Sequence, residues 1–98
     1  MSGTTRSSAD LDPRRRRILY RAWHRGMRET DLILGRFADA EIADLSEEAL
    51  ADLEALMEAP DPDLFRWLTG EAEVPKEHDT PVYRRLVAFH RHDAPIHS

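Results

Sequence analysis

The chain has 98 residues, 41% hydrophobic and 34% charged, with no cysteine and a formal net charge of −5. That length admits one domain with a modest core, and the lack of cysteine excludes disulfides, thiolate chemistry and Cys-ligated metal centres. No run of about 18 apolar residues is present to span a membrane, and the polar stretch from Met1 to Ala9 lacks the apolar segment of a secretory signal.

Three prolines, each preceded by Asp or Thr, punctuate the chain: Asp12-Pro13, Asp61-Pro62 and Thr80-Pro81. An Asp or Thr oxygen can accept the free N–H groups of a first helical turn. Proline at the next position has no N–H to leave orphaned, so each pair predicts a helix start. The first helix is expected from about Pro13 to Arg25, with Ile18, Leu19, Ala22 and Trp23 as its apolar stripe and Gly26 as its left-handed cap. A second, from about Met27 to Ile42, carries Ile33, Leu34, Phe37, Ala38 and Ile42 at helical spacing. Ser46 predicts the cap of a third, with Leu50, Leu53, Leu56 and Met57 inward. Asp61-Pro62 opens a short fourth helix bearing Leu64, Phe65, Trp67 and Leu68 and ended by Gly70. After a polar loop from Glu71 to Asp79, Thr80-Pro81 opens the fifth, with Val82, Tyr83, Leu86, Val87 and Phe89 inward. No segment alternates with period two for long enough to be a strand. The expectation is an all-α fold, a compact bundle of five short helices over residues 13–92, between a flexible N-terminal tail (1–12) and a C-terminal tail (93–98).

Charge is unevenly spread. From Met1 through Arg28 there are eight arginines against Asp10 and Asp12, whereas from Asp39 through Asp63 there are ten acids and no Lys or Arg. Two consequences are compatible: the basic first helix lies beside acidic neighbours, and a polarised surface orients a protein partner. The run Arg14-Arg15-Arg16-Arg17 invites comparison with phosphate-binding segments. Four consecutive residues of a helix point to four sides, however, and no second basic face is present, so no nucleic-acid partner is expected.

Side chains suited to catalysis are sparse. His90 and His92 diverge by about 200° on a helix and cannot meet one ion, so they read, with His78 and His97, as solvated histidines and no metal is expected. No Gly-x-Ser-x-Gly elbow or Gly-rich phosphate loop occurs, and the carboxylates fall on helix faces expected to be wet. A non-enzymatic binding protein follows.

The segment Arg25-Gly26-Met27-Arg28-Glu29 is chemically distinctive. Arg25 near the end of the first helix and Glu29 in the first turn of the second both suit the helix dipoles, and Gly26 turns the chain between them. The same arrangement predicts an exposed corner offering an Arg, a bare glycine backbone and a Glu to a partner.

Here the chain resembles the SdhE family (succinate dehydrogenase assembly factor 2 type), whose hallmark R-G-x-x-E stands as Arg25, Gly26 and Glu29. Arg17-Ile18-Leu19-Tyr20 lies eight residues ahead, like the family's R-L-L-Y-like lead-in. Asp31 follows in its usual place, and Leu45-Ser46 opens the third helix. Asp61-Pro62-Asp63-Leu64-Phe65-Arg66-Trp67-Leu68 is similar to a second signature, D-x-D-L-x-x-W. The resemblance covers about residues 14–90. His24 and Thr30 depart from the pattern, standing where a basic and an apolar residue are usual. The resemblance implies a protein that binds the flavoprotein subunit of succinate dehydrogenase and promotes covalent attachment of FAD to a histidine of that subunit; the short, only weakly Arg- and Ser-rich start of the sequence separately favours a bacterial cytoplasmic protein over a mitochondrial matrix one. The fumarate reductase flavoprotein is a second implied client. No cofactor of its own and no membrane insertion are implied, since FAD is attached to the partner. By the same resemblance Arg25, Gly26 and Glu29 make the central contacts, with Arg17, Tyr20, Met27 and Asp31 as neighbours, whereas Trp67, as a large aromatic of the fourth helix, is expected to be a core anchor. The alternative is a small regulatory module of the antitoxin or nucleic-acid-binding type.

Overall fold

Asp12 accepts a hydrogen bond from the Arg15 backbone N–H at 3.2 Å and starts α1 (Pro13–Trp23) where the Asp-Pro pair predicts it. These positions come from a computed structural model that describes residues 10–92. Ser46 accepts from the Ala49 N–H at 3.1 Å, and Thr80 accepts from the Tyr83 N–H at 3.2 Å. They cap α3 (Glu47–Leu56) and α5 (Pro81–His92) respectively. Between these lie α2 (Arg28–Glu41) and α4 (Asp61–Thr69), with 3-10 turns at Ile42–Asp44 and Lys76–His78. Each cap satisfies an N–H that the first helical turn would leave without a partner.

The helix α2 is central, packing against α1, α4 and α5, while α3 packs against α5 and the Lys76–His78 turn. Ile33, Leu34, Phe37, Ala38 and Ile42 are all buried, as are Ile18, Leu19 and Ala22 of α1 and Leu50, Leu53, Leu56 and Met57 around α3. The apolar stripes read from helical spacing therefore meet in one core. Val87, Phe89, Phe65, Trp67 and Trp23 are only partly buried against it. Phe89 meets Phe37 edge-on with ring centroids 5.8 Å apart.

Several boundaries move. The helix α1 ends at Trp23, not Arg25, and Gly26 (φ +108°) turns the chain two residues beyond the His24 cap. The helix α4 begins one residue early, with Pro60 as N-cap and no side-chain cap, because the Asp61 carboxylate is engaged elsewhere. Gly70, at φ +85°, does end α4 in the left-handed conformation. The ordered domain also reaches back past Pro13: Leu11 is buried, and Arg16 donates to its carbonyl at 2.8 Å. The remainder of the expected tails, residues 1–9 and 93–98, lies outside the described residues, as does His97. His90 is buried on α5 instead of solvated, and the His78 ring lies 5.7 Å from that of Trp67.

Candidate functional site

The basic start of α1 spreads to different sides. Arg14 reaches Glu47 (2.8 Å) and Glu54 (2.7 Å) of α3, and Arg21 reaches Glu58 at 3.0 Å. The hydrogen bond from Arg14 holds the Glu54 carboxyl below its usual range, and Arg15 does the same to Asp12. The two carboxylates are thus shifted by their arginine partners. Arg15 also turns inward and donates to the carbonyls of Ile42 (3.0 Å) and Leu45 (2.5 Å), past the end of α2. Arg17 stays exposed.

On the outer side of α1, Pro13, Arg16, Arg17, Tyr20 and Arg21 line an open hollow of about 470 Å³. Among the described residues Tyr20 is the exposed large hydrophobic side chain, 64% accessible, and it stacks on the His24 ring at 4.0 Å. His24, a departure from the family pattern, thereby supplies a platform for that ring, with Nδ1 2.7 Å from the Tyr20 carbonyl.

The corner after α1 divides into an inner and an outer set. Gly26, Arg28 and Glu29 are exposed and Met27 is half-buried. A Cβ added to Gly26 would meet nothing within 4 Å, so its surface is open and only its backbone angle requires glycine. Arg25 does not present its guanidinium to solvent. Its Nε donates to Asp61 Oδ1 at 2.5 Å, and the other two nitrogens donate to the Met57 carbonyl (2.6 Å) and the Ala59 carbonyl (2.8 Å). Its backbone N–H donates to Asp31 Oδ1 at 2.9 Å. Asp31 therefore holds the corner from within. Thr30, the other departure from the pattern, is fully buried, and its hydroxyl donates to the Met27 carbonyl at 2.9 Å.

With this geometry in place, likeness to known proteins becomes informative. A family model described as "Flavinator of succinate dehydrogenase" matches residues 16–90. The chain belongs to this family. Among its relatives is the FAD assembly factor SdhE of Acetobacter pasteurianus, 45% identical over 78 residues, which cover 80% of this chain and 72% of that protein. The mitochondrial succinate dehydrogenase assembly factor 2 of Dictyostelium discoideum is 41% identical, over 90% of this chain and 62% of its own length. A Drosophila mojavensis mitochondrial assembly factor 2-B is 35% identical, over 83% of this chain and 53% of that protein. The chain thus spans between about half and three-quarters of the length of these relatives. No significant match was found among solved structures.

In this SdhE-family chain the matched span contains both signatures, and the structure joins them through Arg25 and Asp61. Sequence reasoning missed that pairing. A signal was nonetheless available: ten acids without a basic residue between Asp39 and Asp63 must find cations elsewhere in the chain. It also missed Gly35, buried in α2, where a Cβ would lie 2.3 Å from the Trp23 ring. The absence of a side chain there lets Trp23 lie flat on the α2 backbone. Among the described residues no group of three or more His, Cys, Asp or Glu side chains could hold a metal ion, and no helix is long and apolar enough to cross a membrane.

Proposed function

We propose that this chain is a non-enzymatic assembly factor that docks on the flavoprotein subunit of succinate dehydrogenase and promotes covalent attachment of FAD there. The observation that carries the proposal is family membership across residues 16–90 combined with an open, glycine-turned corner at Gly26. The docking surface is the exposed set Gly26 and Glu29 with half-buried Met27, continued along α1 by Tyr20 and Arg17. Arg25 and Asp31 belong to the same corner from its inner side. Because Arg16, Arg17 and Arg21 surround the exposed Tyr20 ring, the complementary patch on the partner is acidic with an apolar centre. The factor itself works in the bacterial cytoplasm, carries no cofactor and leaves bond formation to the flavin and its acceptor subunit. It accelerates attachment by binding the attachment-competent conformation of the flavoprotein more tightly than other conformations, since only a difference in affinity shifts such an equilibrium.

The test is covalent flavin fluorescence on the denatured flavoprotein from cells lacking this chain. The expected result is a marked loss of covalent flavin, restored by the wild-type chain. Unchanged fluorescence would sink the proposal. A fumarate reductase flavoprotein is the second proposed client, and the same measurement on that subunit tests it.

A further inference from the structure

Arg25 joins two segments that are separate in sequence, the α1–α2 corner and the α3–α4 turn. Met57 and Ala59 lie just past the end of α3, where carbonyl groups lose their helical partners, and Asp61 is the first residue of α4. One guanidinium satisfies two such carbonyls and the carboxylate together, while the backbone N–H of the same residue is held by Asp31 of α2. The Arg25 side chain is only 11% accessible and that of Asp61 16%. Gly26 follows directly, exposed and at φ +108°, and Glu29 is exposed in the first turn of α2.

From this geometry we infer that Arg25 is a positioning residue. It clamps the α3–α4 turn onto the α1–α2 corner, and so fixes the one arrangement in which the Gly26 backbone and the Glu29 carboxylate face outward together. The partner meets Gly26 and Glu29, with the guanidinium behind them. A lysine cannot replace it, because a single ammonium cannot span a carboxylate and two carbonyls in a planar fork. The inference rests on the proposed docking role but also makes a claim about the free chain.

The experiment compares Arg25→Gln, Asp61→Asn, their double variant and Glu29→Gln in the full chain. Hydrogen exchange at the Arg25 and Ala59 amides, which donate to Asp31 and to the Leu56 carbonyl, is measured in the free chain, and affinity is measured for the purified flavoprotein subunit. Loosening the clamp lowers the fraction of chain that is competent to bind, so apparent affinity falls by that fraction. Arg25→Gln and Asp61→Asn are each expected to speed exchange and to weaken binding by a similar factor, roughly tenfold. The double variant should be no weaker than the weaker single, because both break one unit. Glu29→Gln should weaken binding with exchange unchanged. A stabilising osmolyte should restore affinity to the clamp variants and not to Glu29→Gln. Wild-type affinity and exchange in Asp61→Asn, beside lost affinity in Arg25→Gln, would overturn the inference and make the guanidinium a direct contact. Should Arg25→Gln not fold, Asp61→Asn carries the test, because it leaves both carbonyl bonds in place. If the wild-type chain fails to bind the flavoprotein, the proposed function falls, and unaltered exchange in Asp61→Asn still overturns the clamp.

Discussion

Arg25 and Asp61 are 36 residues apart in the chain and 2.5 Å apart in space. One stands in the Arg25–Glu29 segment that resembles the family's R-G-x-x-E, the other in the Asp61–Leu68 segment that resembles its D-x-D-L-x-x-W. Removing one partner of a largely buried pair leaves an uncompensated charge, which costs more than the pair itself contributes. Arg25→Ala is therefore expected to destabilise the domain by about 3 kcal/mol or more. In a domain this small that lowers the melting temperature by more than roughly 10 °C, read by helical circular dichroism. A melting temperature within a few degrees of wild type would mean that the pair contributes little.

At Gly26 the strain and the space are separable. Its φ of +108° disfavours any L side chain, yet a Cβ meets nothing within 4 Å. Gly26→Ala should cost about 1–2 kcal/mol of stability through the backbone alone. Gly26→Arg should cost about the same stability while abolishing co-purification with the flavoprotein, because it adds bulk where the partner approaches. Equal co-purification of both variants would remove Gly26 from the docking surface.

Tyr20 and Glu29 are exposed, so their truncation should leave folding almost untouched. Tyr20→Ala and Glu29→Ala are each expected to weaken flavoprotein binding roughly tenfold or more, with the denaturation midpoint nearly unchanged. Calorimetric titration of the purified pair measures this, and full affinity in both variants would move the docking surface elsewhere.

Alanine normally stabilises a helix interior relative to glycine by up to about 1 kcal/mol. At position 35 the sign should reverse, because the new methyl group would lie 2.3 Å from the Trp23 ring and force it off α2. Gly35→Ala should lose about 1–3 kcal/mol and shift Trp23 emission to the red, read in a Trp67→Phe background. A stabilised Gly35→Ala variant would show that Trp23 moves aside at no cost.

The ion pairs between α1 and α3 set a pH dependence. Hydrogen bonding from Arg14 places the Glu54 pKa below its ordinary value of 4.5 in the folded chain. A depressed folded-state value stabilises the fold above the ordinary pKa, and that stabilisation is lost as pH falls through the lowered one. Arg14→Gln should therefore move the acid-unfolding midpoint to higher pH, and its stability difference from wild type, full at neutral pH, should shrink as pH falls below the ordinary value of 4.5. Because both partners are partly exposed, added salt should also narrow that difference. An acid limb identical in the two proteins would show that the pair is not felt by the fold.

Much of this protein is determined within four residues of each position. Asp12, Ser46 and Thr80 cap helices because a side-chain oxygen reaches an N–H three residues on, and the apolar periods of α2 and α3 converge because helical spacing places them on one face. The expected placing of a basic first helix beside acidic neighbours also follows from composition, since opposite charges on neighbouring helices attract, and α3 supplies Glu47 and Glu54. What the sequence could not supply was direction. Asp61 next to Pro62 has the chemistry of an N-cap, and Arg25 beside Gly26 has the chemistry of an exposed recognition arginine. Each does something else because the other is there. The carbonyls of Met57 and Ala59 and the carboxylate of Asp61 form a receptor for a guanidinium only after α3 and α4 have packed beside the end of α1. A local pattern cannot encode a site assembled from segments more than thirty residues apart. Tertiary packing alone turned Arg25 inward and left Gly26 and Glu29 to face the solvent.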